Sequence, residues 1–172
     1  MKMTMGRVAA GAAVTGILGT LAFSQALQAA TATANLSVTA TVVGQCTVTA
    51  PTTLAFGNYD PVTANASTDL DAQTNISVAC TKGTPSVWIG LNTGANAASG
   101  VRRMASGTER LTYEIYSDAP RSTVWGNTLA TGVSYTAASK AAANLTVYGR
   151  VAPGQDVAVG SYTDTVVATV NF

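Results

Sequence analysis

The 172-residue chain contains no histidine. Histidine is the side chain that most often acts as general base or metal ligand near neutral pH, so its absence argues against both roles. The chain also lacks the Gly-x-Ser-x-Gly motif of a nucleophile elbow. Asp69 and Asp71 are two residues apart, but they lie in a polar stretch that we expect to be a solvated loop. We therefore predict no enzyme activity, no metal site and no cofactor.

Charged residues are also scarce, at 10% of the chain. Without Lys2 and Arg7, which belong to the front segment, seven basic residues face eight acidic ones, a formal charge of −1. A chain so close to neutral is a poor candidate for binding nucleic acid or an anionic membrane. Arg102-Arg103 is the only basic doublet of the chain, and we expect it in a solvated loop. A net charge near zero favours association instead.

The front segment has the pattern of a secretory signal peptide. Lys2 and Arg7 supply the positive start, an uncharged apolar run follows at 8–23, and small residues lead to the expected cut. Glycines interrupt the run, which is short for a membrane-spanning helix. We predict a signal peptide at 1–30, cut within about 29–34, and an exported protein.

The chain has two cysteines, Cys46 and Cys80, and no Cys-x-x-Cys motif. Cysteine pairs in exported proteins are usually oxidised, whereas redox-active thiols usually show the closer spacing. Both cysteines also fall on the inward faces of expected strands. The sequence therefore predicts a Cys46–Cys80 disulfide.

Apolar and polar residues alternate in short runs separated by turn signals after residue 46. Period-two alternation of this kind is typical of an all-β sandwich, here with seven or so strands in a single domain. The expected strands are 46–50, 54–57, 75–80, 87–91, 111–116, 145–151 and 166–172. A short segment at 124–126 and a helical turn at 137–143 are weaker expectations.

The tail before Cys46 alternates in the same way. Leu36, Val38, Ala40 and Val42 alternate with Asn35, Ser37, Thr39 and Thr41. One interpretation makes this segment the first strand of its own sandwich. The other has it leave the subunit and complete the sheet of a neighbour. Because the last expected strand runs to Phe172, the sandwich is also expected to have an open edge that something must cover.

Several stretches of the chain, taken in order, resemble the spore coat protein U domain family. They are Cys46 and segments 54–59, 76–81, 111–116, 147–151, 160–166 and 170–172. The family includes the pilins of archaic chaperone–usher pili, such as the Csu-type biofilm pili, and takes its name from a spore coat protein. The resemblance extends from about residue 35 to 172.

This resemblance implies an incomplete immunoglobulin-like β-sandwich that lacks its final strand and is completed by donor-strand exchange. Residues 31–43 would be the donor strand and 44–172 the pilin domain. Leu36, Val38, Ala40 and Val42 would fill pockets of the neighbouring subunit. The groove edge, which a chaperone would cover first, would consist of Val166, Ala168, Val170 and Phe172.

The implied partners are a periplasmic chaperone, an outer-membrane usher and neighbouring pilins in a head-to-tail polymer. The implied location is the surface of a cell with a Gram-negative-type envelope, reached through the periplasm. The predicted function is a structural subunit of an extracellular fibre that supports surface adhesion and biofilm formation. The alternatives are a spore or cell coat component, and a single-domain adhesin that binds through loops 92–108 or 126–143.

Overall fold

The computed structural model describes residues 29–50 and 53–172. The predicted signal peptide at 1–30 therefore lies outside the described residues except for its last two positions. The chain divides into two units, one up to Thr39 and one from Ala40 to Phe172. No residue from 29 to 45 belongs to a helix or strand, and all of these residues are exposed.

The second unit is built from β-strands. Its described residues contain no helix, and no apolar helix of membrane-spanning length occurs in the described parts of the chain. The strands found there are β1 (Cys46–Thr49), β2 (Leu70–Cys80), β3 (Trp88–Leu91), β4 (Arg103–Ser106), β5 (Glu109–Thr112), β6 (Glu114–Tyr116), β7 (Val133–Ser134), β8 (Ala143–Val151) and β9 (Ala168–Asn171). The all-β prediction is thus confirmed.

The strands form two main sheets and one hairpin. The larger sheet has the order β1-β2-β8-β6, the smaller one has the order β7-β3-β9, and β4 pairs with β5. All of these pairings are antiparallel. The longest ladder joins β2 to β8, from Leu70 opposite Val151 to Val78 opposite Ala143.

The core follows from the alternation of apolar residues along the strands. Ile76, Val78 and Cys80 of β2 are buried, while the residues between them are only partly covered. Burial of alternate side chains on one face is what stabilises a strand pair in a sandwich. The buried apolar residues are Cys46, Ile76, Val78, Cys80, Val87, Ile89, Leu91, Leu111, Tyr113, Ile115, Trp125, Ala137, Val147 and Val151.

Trp125 is the largest fully buried side chain among the described residues. Its indole nitrogen donates a hydrogen bond of 2.8 Å to the Ile89 carbonyl. A buried tryptophan needs such a partner because its N–H otherwise loses its hydration without compensation. Trp125 therefore packs the core and ties the 117–131 segment to β3.

Three of the expected elements differ from the structure. Segment 54–57 forms no strand, but Leu54 and Phe56 still pack against the core. They lie over Gly149, where an added Cβ would stand 2.7 Å from a ring carbon of Phe56. The 124–126 segment has only an isolated bridge between Tyr116 and Val124, and residues 137–143 form no helix.

Other strand boundaries also differ, and the expected strand 166–172 is reduced to β9, so that Val166 precedes it and Phe172 follows it. The expected strand 111–116 is divided between β5 and β6 at Tyr113, and β2 begins at Leu70 instead of 75. The β4–β5 hairpin was not expected. It is joined to a later part of the chain, since Ala105 and Thr163 exchange hydrogen bonds of 2.8 and 3.0 Å. That partner is 58 residues away in sequence, so local alternation contains no sign of it.

Candidate functional site

β9 is the edge strand of the smaller sheet. It pairs with β3 on one side, and no described strand pairs with its other side. The Val167 carbonyl accepts a bond of 3.1 Å from Asn92 N, and Val167 N donates one of 2.9 Å to Asn92 Oδ1. Since backbone groups of successive strand residues point to opposite sides, Val166, Ala168 and Val170 direct their N–H and C=O groups to the free edge. A row of unpaired groups like this is a template for another strand.

The inward side chains of the same segment are half-buried. Val166, Ala168 and Val170 pack against the core without being enclosed by it. Phe172 differs, because it follows the end of β9 and its side chain is 56% exposed. Three of the four predicted groove-edge residues thus lie along one inward face, and the fourth lies beyond the strand.

β1 is the corresponding edge of the larger sheet, paired only with β2 among the described strands. We call the space between the free edges of β1 and β9 the groove. The two strands approach within 8 Å at some Cα pairs but form no ladder. Neighbouring strands are about 4.8 Å apart, so an inserted strand needs roughly twice that distance between its two neighbours. At its narrowest point the groove must therefore widen to accept one.

The tail exposes the residues that were predicted to fill such a groove. Leu36 is 86% exposed, Val38 84% and Val42 82%, and Ala40 is exposed as well. Apolar side chains that alternate along an unpaired segment gain free energy when another surface removes them from water. The described residues of the tail are thus free to pair as a strand with another surface.

The Cys46–Cys80 disulfide is present and joins the start of β1 to the end of β2. The two residues are directly opposite each other in the ladder, and both are buried. The predicted pairing is confirmed. Because the tail joins the sandwich at Gln45, the disulfide fixes the residue next to that attachment point.

Asp164 holds the segment that leads into β9. Its carboxylate accepts hydrogen bonds from the Tyr113 hydroxyl at 2.7 Å and from Asn96 N and Nδ2 at 3.0 and 3.1 Å. Burial raises the pKa of Tyr113, and the bond to Asp164 raises it further, so the phenol remains a donor. Gly94 has φ +92°, and a Cβ there would stand 2.0 Å from Asp164 Oδ2. These supporting residues were not predicted from the sequence.

The prediction for Arg102 was wrong, because its side chain is 3% exposed. The guanidinium pairs with Glu114 and donates to the carbonyls of Leu91, Asn92 and Trp125. A buried cation needs this number of acceptors to replace its hydration. Glu114 lies partly covered at the end of this arrangement. Arg102 therefore fixes the end of β3, the strand that supports β9.

The expected solvated loop was wrong for Asp71, whereas Asp69 lies in the loop that ends just before β2. Asp71 lies within β2, and its carboxylate is 2.8 Å from Arg150 and 3.2 Å from Arg121. Asp69 is 3.1 Å from Arg150. The hydrogen bond from Arg150 lowers the pKa of Asp71. The two carboxylates belong to a network of ion pairs with arginines on the sheet surface. The described residues contain no cluster of three or more potential metal ligands.

Comparison with known proteins relates this chain to a protein family and to a solved complex. The family model for the Spore Coat Protein U domain matches residues 32–169. Protein U of Myxococcus xanthus is 43% identical over 173 residues, which cover 94% of this chain and 96% of that protein.

The solved complex is the CsuC–CsuE chaperone–tip adhesion subunit pre-assembly complex from archaic chaperone-usher Csu pili of Acinetobacter baumannii. A chain of this crystal structure matches with a TM-score of 0.51 and 22% sequence identity. The match covers 77% of the present chain and 40% of that chain. At this identity the similarity shows a shared fold.

Proposed function

The chain belongs to the Spore Coat Protein U domain family, and on this premise we propose that it is a structural subunit of an extracellular fibre assembled by donor-strand complementation. The observation that carries the proposal is the combination of an exposed, alternating tail with a sandwich whose β9 edge is unpaired. Exposed apolar side chains in the tail and unpaired backbone groups at the β9 edge each raise the free energy of the isolated subunit. Pairing the tail with the edge would remove both costs.

The tail would insert as a strand beside β9. Its backbone would pair with the free N–H and C=O groups of Val166, Ala168 and Val170. Leu36, Val38, Ala40 and Val42 would enter the groove from one face of the strand, because residues two apart share a face. Full burial of Leu36 or Val38 would contribute about 1.5–3 kcal/mol each.

Each proposed joint pairs the tail of one subunit with the groove of another. Because these are two different surfaces, the pairing is heterologous. Heterologous contacts that do not close into a ring produce an open filament. The proposed partners in the fibre are therefore further copies of this chain. Support of surface adhesion and biofilm formation belongs to the same proposal.

A free subunit would expose the apolar groove before it meets a neighbour. An unpaired hydrophobic edge of this kind promotes aggregation. We assign its protection to a periplasmic chaperone. The Csu complex, which shares the fold, contains a chaperone together with a pilus subunit before assembly. An outer-membrane usher would then deliver the subunit to the cell surface.

The second candidate is a coat component of a resting cell. The description of the family, Spore Coat Protein U domain, favours it, and Protein U of Myxococcus xanthus is similar over nearly its whole length. Both candidates use the same joint between subunits and differ in what the polymer forms. A single-domain adhesin is less well supported, because part of loop 92–108 is used by β4 and by buried Arg102, and part of loop 126–143 by β7 and by buried Ala137.

Electron microscopy of the source cells tests the proposal. Surface filaments should be present in the wild type, absent after deletion of the gene, and restored by the gene on a plasmid. Immunogold labelling of an epitope in the exposed 127–131 loop should mark the filaments along their length. Label confined to a continuous cell coat without filaments would favour the second candidate, and unchanged filaments without label would reject the proposal.

A further inference from the structure

Lys82 and Lys140 lie at one end of the sandwich. Lys82 follows the end of β2, and Lys140 precedes the start of β8. These two strand ends are adjacent in the antiparallel ladder, and Gly83 N donates a bond of 2.8 Å to the Ala137 carbonyl between the two loops. We call this the lysine end. Gln45, where the tail joins β1, belongs to it as well.

The lysine end contains an open cleft of about 630 Å³, lined by both lysines together with Gln45 and Cys80. Both lysines are exposed, and neither has a carboxylate within salt-bridge distance among the described residues. All eight carboxylate side chains of the chain are elsewhere in the fold.

The opposite end of the ladder, where β2 begins and β8 ends, carries two further carboxylates, the exposed Asp156 and the partly covered Asp60. Asp60 and Asp156 lie on neighbouring loops, because the Tyr59 hydroxyl donates to the Ala152 carbonyl at 3.0 Å and accepts from Gln155 N at 2.8 Å. We call this the acidic end.

Other charges at the acidic end are already engaged. Asp69 and Asp71 pair with Arg150. Arg103 and Arg110 of the β4–β5 hairpin donate to main-chain carbonyls, and Glu109 accepts from Ala158 N. Asp156 is exposed, Asp60 is partly covered and accepts hydrogen bonds only within its own turn, and neither has an ion-pair partner among the described residues.

The direction of the inserted tail decides which ends of two subunits meet. β9 runs toward the lysine end, since Ala168 is opposite Leu91 and Asn171 is opposite Trp88, at the start of β3. A tail antiparallel to β9 would leave the groove at the acidic end. Val42 and Cys46 are four residues apart, a span of at most about 14 Å, so the donor's lysine end would follow directly. A parallel tail would instead bring two lysine ends together, which like-charge repulsion disfavours.

We propose that the lysine end of each subunit docks on the acidic end of the neighbour that accepts its tail, with Lys82 and Lys140 facing Asp60 and Asp156. The contact rests on the proposed fibre function and adds a second interface between the same two copies. It holds the short connector at 43–45 in one direction and limits the angle between successive subunits.

The test reverses the charge of the lysine end with the double variant Lys82→Glu/Lys140→Glu. Fibre growth from the exported subunit is followed by light scattering at low and high ionic strength. We expect growth at about 20 mM salt to fall roughly tenfold and to approach the wild-type rate near 0.5 M, because screening removes interactions between exposed charges. Equal growth of variant and wild type at low salt would overturn the proposal.

Asp156→Lys provides the compensating change. Asp156 accepts no hydrogen bond among the described residues, whereas Asp60 accepts bonds of 2.9 and 3.0 Å from Val62 N and Thr63 N and would lose its turn on reversal. Adding Asp156→Lys to the double variant should recover part of the low-salt growth. No recovery, together with a defect that persists at high salt, would show that the lysines act on folding and would also overturn the proposal.

A synthetic peptide of residues 33–44 separates this contact from the groove itself. The peptide carries the tail without the sandwich, so its binding to the subunit should be the same for wild type and the double variant. If the peptide binds neither protein, the proposed strand exchange fails. If it binds both equally and the fibres also grow equally, only the contact between the two ends is rejected.

Discussion

Arg102 is the residue whose surroundings depart most from what its sequence position suggests. Its neighbour Arg103 is half-exposed and donates a bond of 3.2 Å to the Asn96 carbonyl, while Arg102 is buried among three carbonyls and Glu114. The sequence of an arginine doublet does not indicate which of the two side chains is buried. The acceptors come from Leu91, Asn92 and Trp125, which only the tertiary fold brings together.

Arg102→Met should therefore destabilise the protein far more than Arg103→Met. Removing the buried guanidinium leaves two or three carbonyls and the partly covered Glu114 without their donor, at a cost of about 2–4 kcal/mol. The Arg103 change should cost less than about 1 kcal/mol. Urea unfolding of the exported proteins, followed by the fluorescence of buried Trp125, measures both. Equal losses would show that the Arg102 contacts do not hold the end of β3.

At the scale of secondary-structure elements, alternation predicted the long strands β2 and β8 and the short strands β1 and β3, but not every short alternating run became a strand. β2 and β8 pair over nine residues each, so the period-two pattern repeats often enough to be recognised in the sequence. Segment 54–57 also alternates, yet it forms no strand, because Leu54 and Phe56 are held by side-chain packing over Gly149 without a backbone partner. Alternation indicates which side chains face the core. It does not indicate whether the backbone of the segment pairs with a neighbouring strand.

The same distinction applies to the candidate site. The inward faces of the tail and of β9 follow from alternation and from the family resemblance. Asp164, Asn96 and Gly94 lie in segments rich in small and polar residues, and their contacts cross more than 60 residues of sequence. Nothing local marks them as supports of the β9 edge.

β9 is the element on which capture by the chaperone should depend. Removing Val170-Asn171-Phe172 deletes half of β9, including the pairs Ile89–Val170 and Trp88–Asn171. The shortened edge should no longer bind a partner strand, so the subunit should fail to accumulate in the periplasm. Removing Phe172 alone should have a small effect, since this residue follows the strand and is mostly exposed.

Periplasmic yield and co-purification with the chaperone measure both truncations. Normal chaperone binding by the three-residue truncation would contradict the role given to β9. Loss of binding by both would mean that the terminal residue contributes more than its position suggests.

At the scale of the whole molecule, the subunit carries two incomplete surfaces. Among residues 29–50 and 53–172, the tail has exposed apolar side chains and no partner strand, and no strand lies between the free edges of β1 and β9. In the proposed joint the two would satisfy each other's backbone groups and apolar side chains, and repetition of that joint would build a fibre. The charges at the two ends of the sandwich would add direction to the same joint.

The most direct measurement compares Val38→Asp with Ser37→Asp in the tail. Fibre yield is determined beside the yield of chaperone-bound subunit for each variant. Asp at position 38 would enter a closed pocket without a partner and lose its hydration, whereas position 37 faces outward. We predict normal chaperone complexes for both, fibres for Ser37→Asp and none for Val38→Asp. Fibres from Val38→Asp but not from Ser37→Asp would contradict the face assignment, and loss of the subunit itself in both would contradict strand exchange.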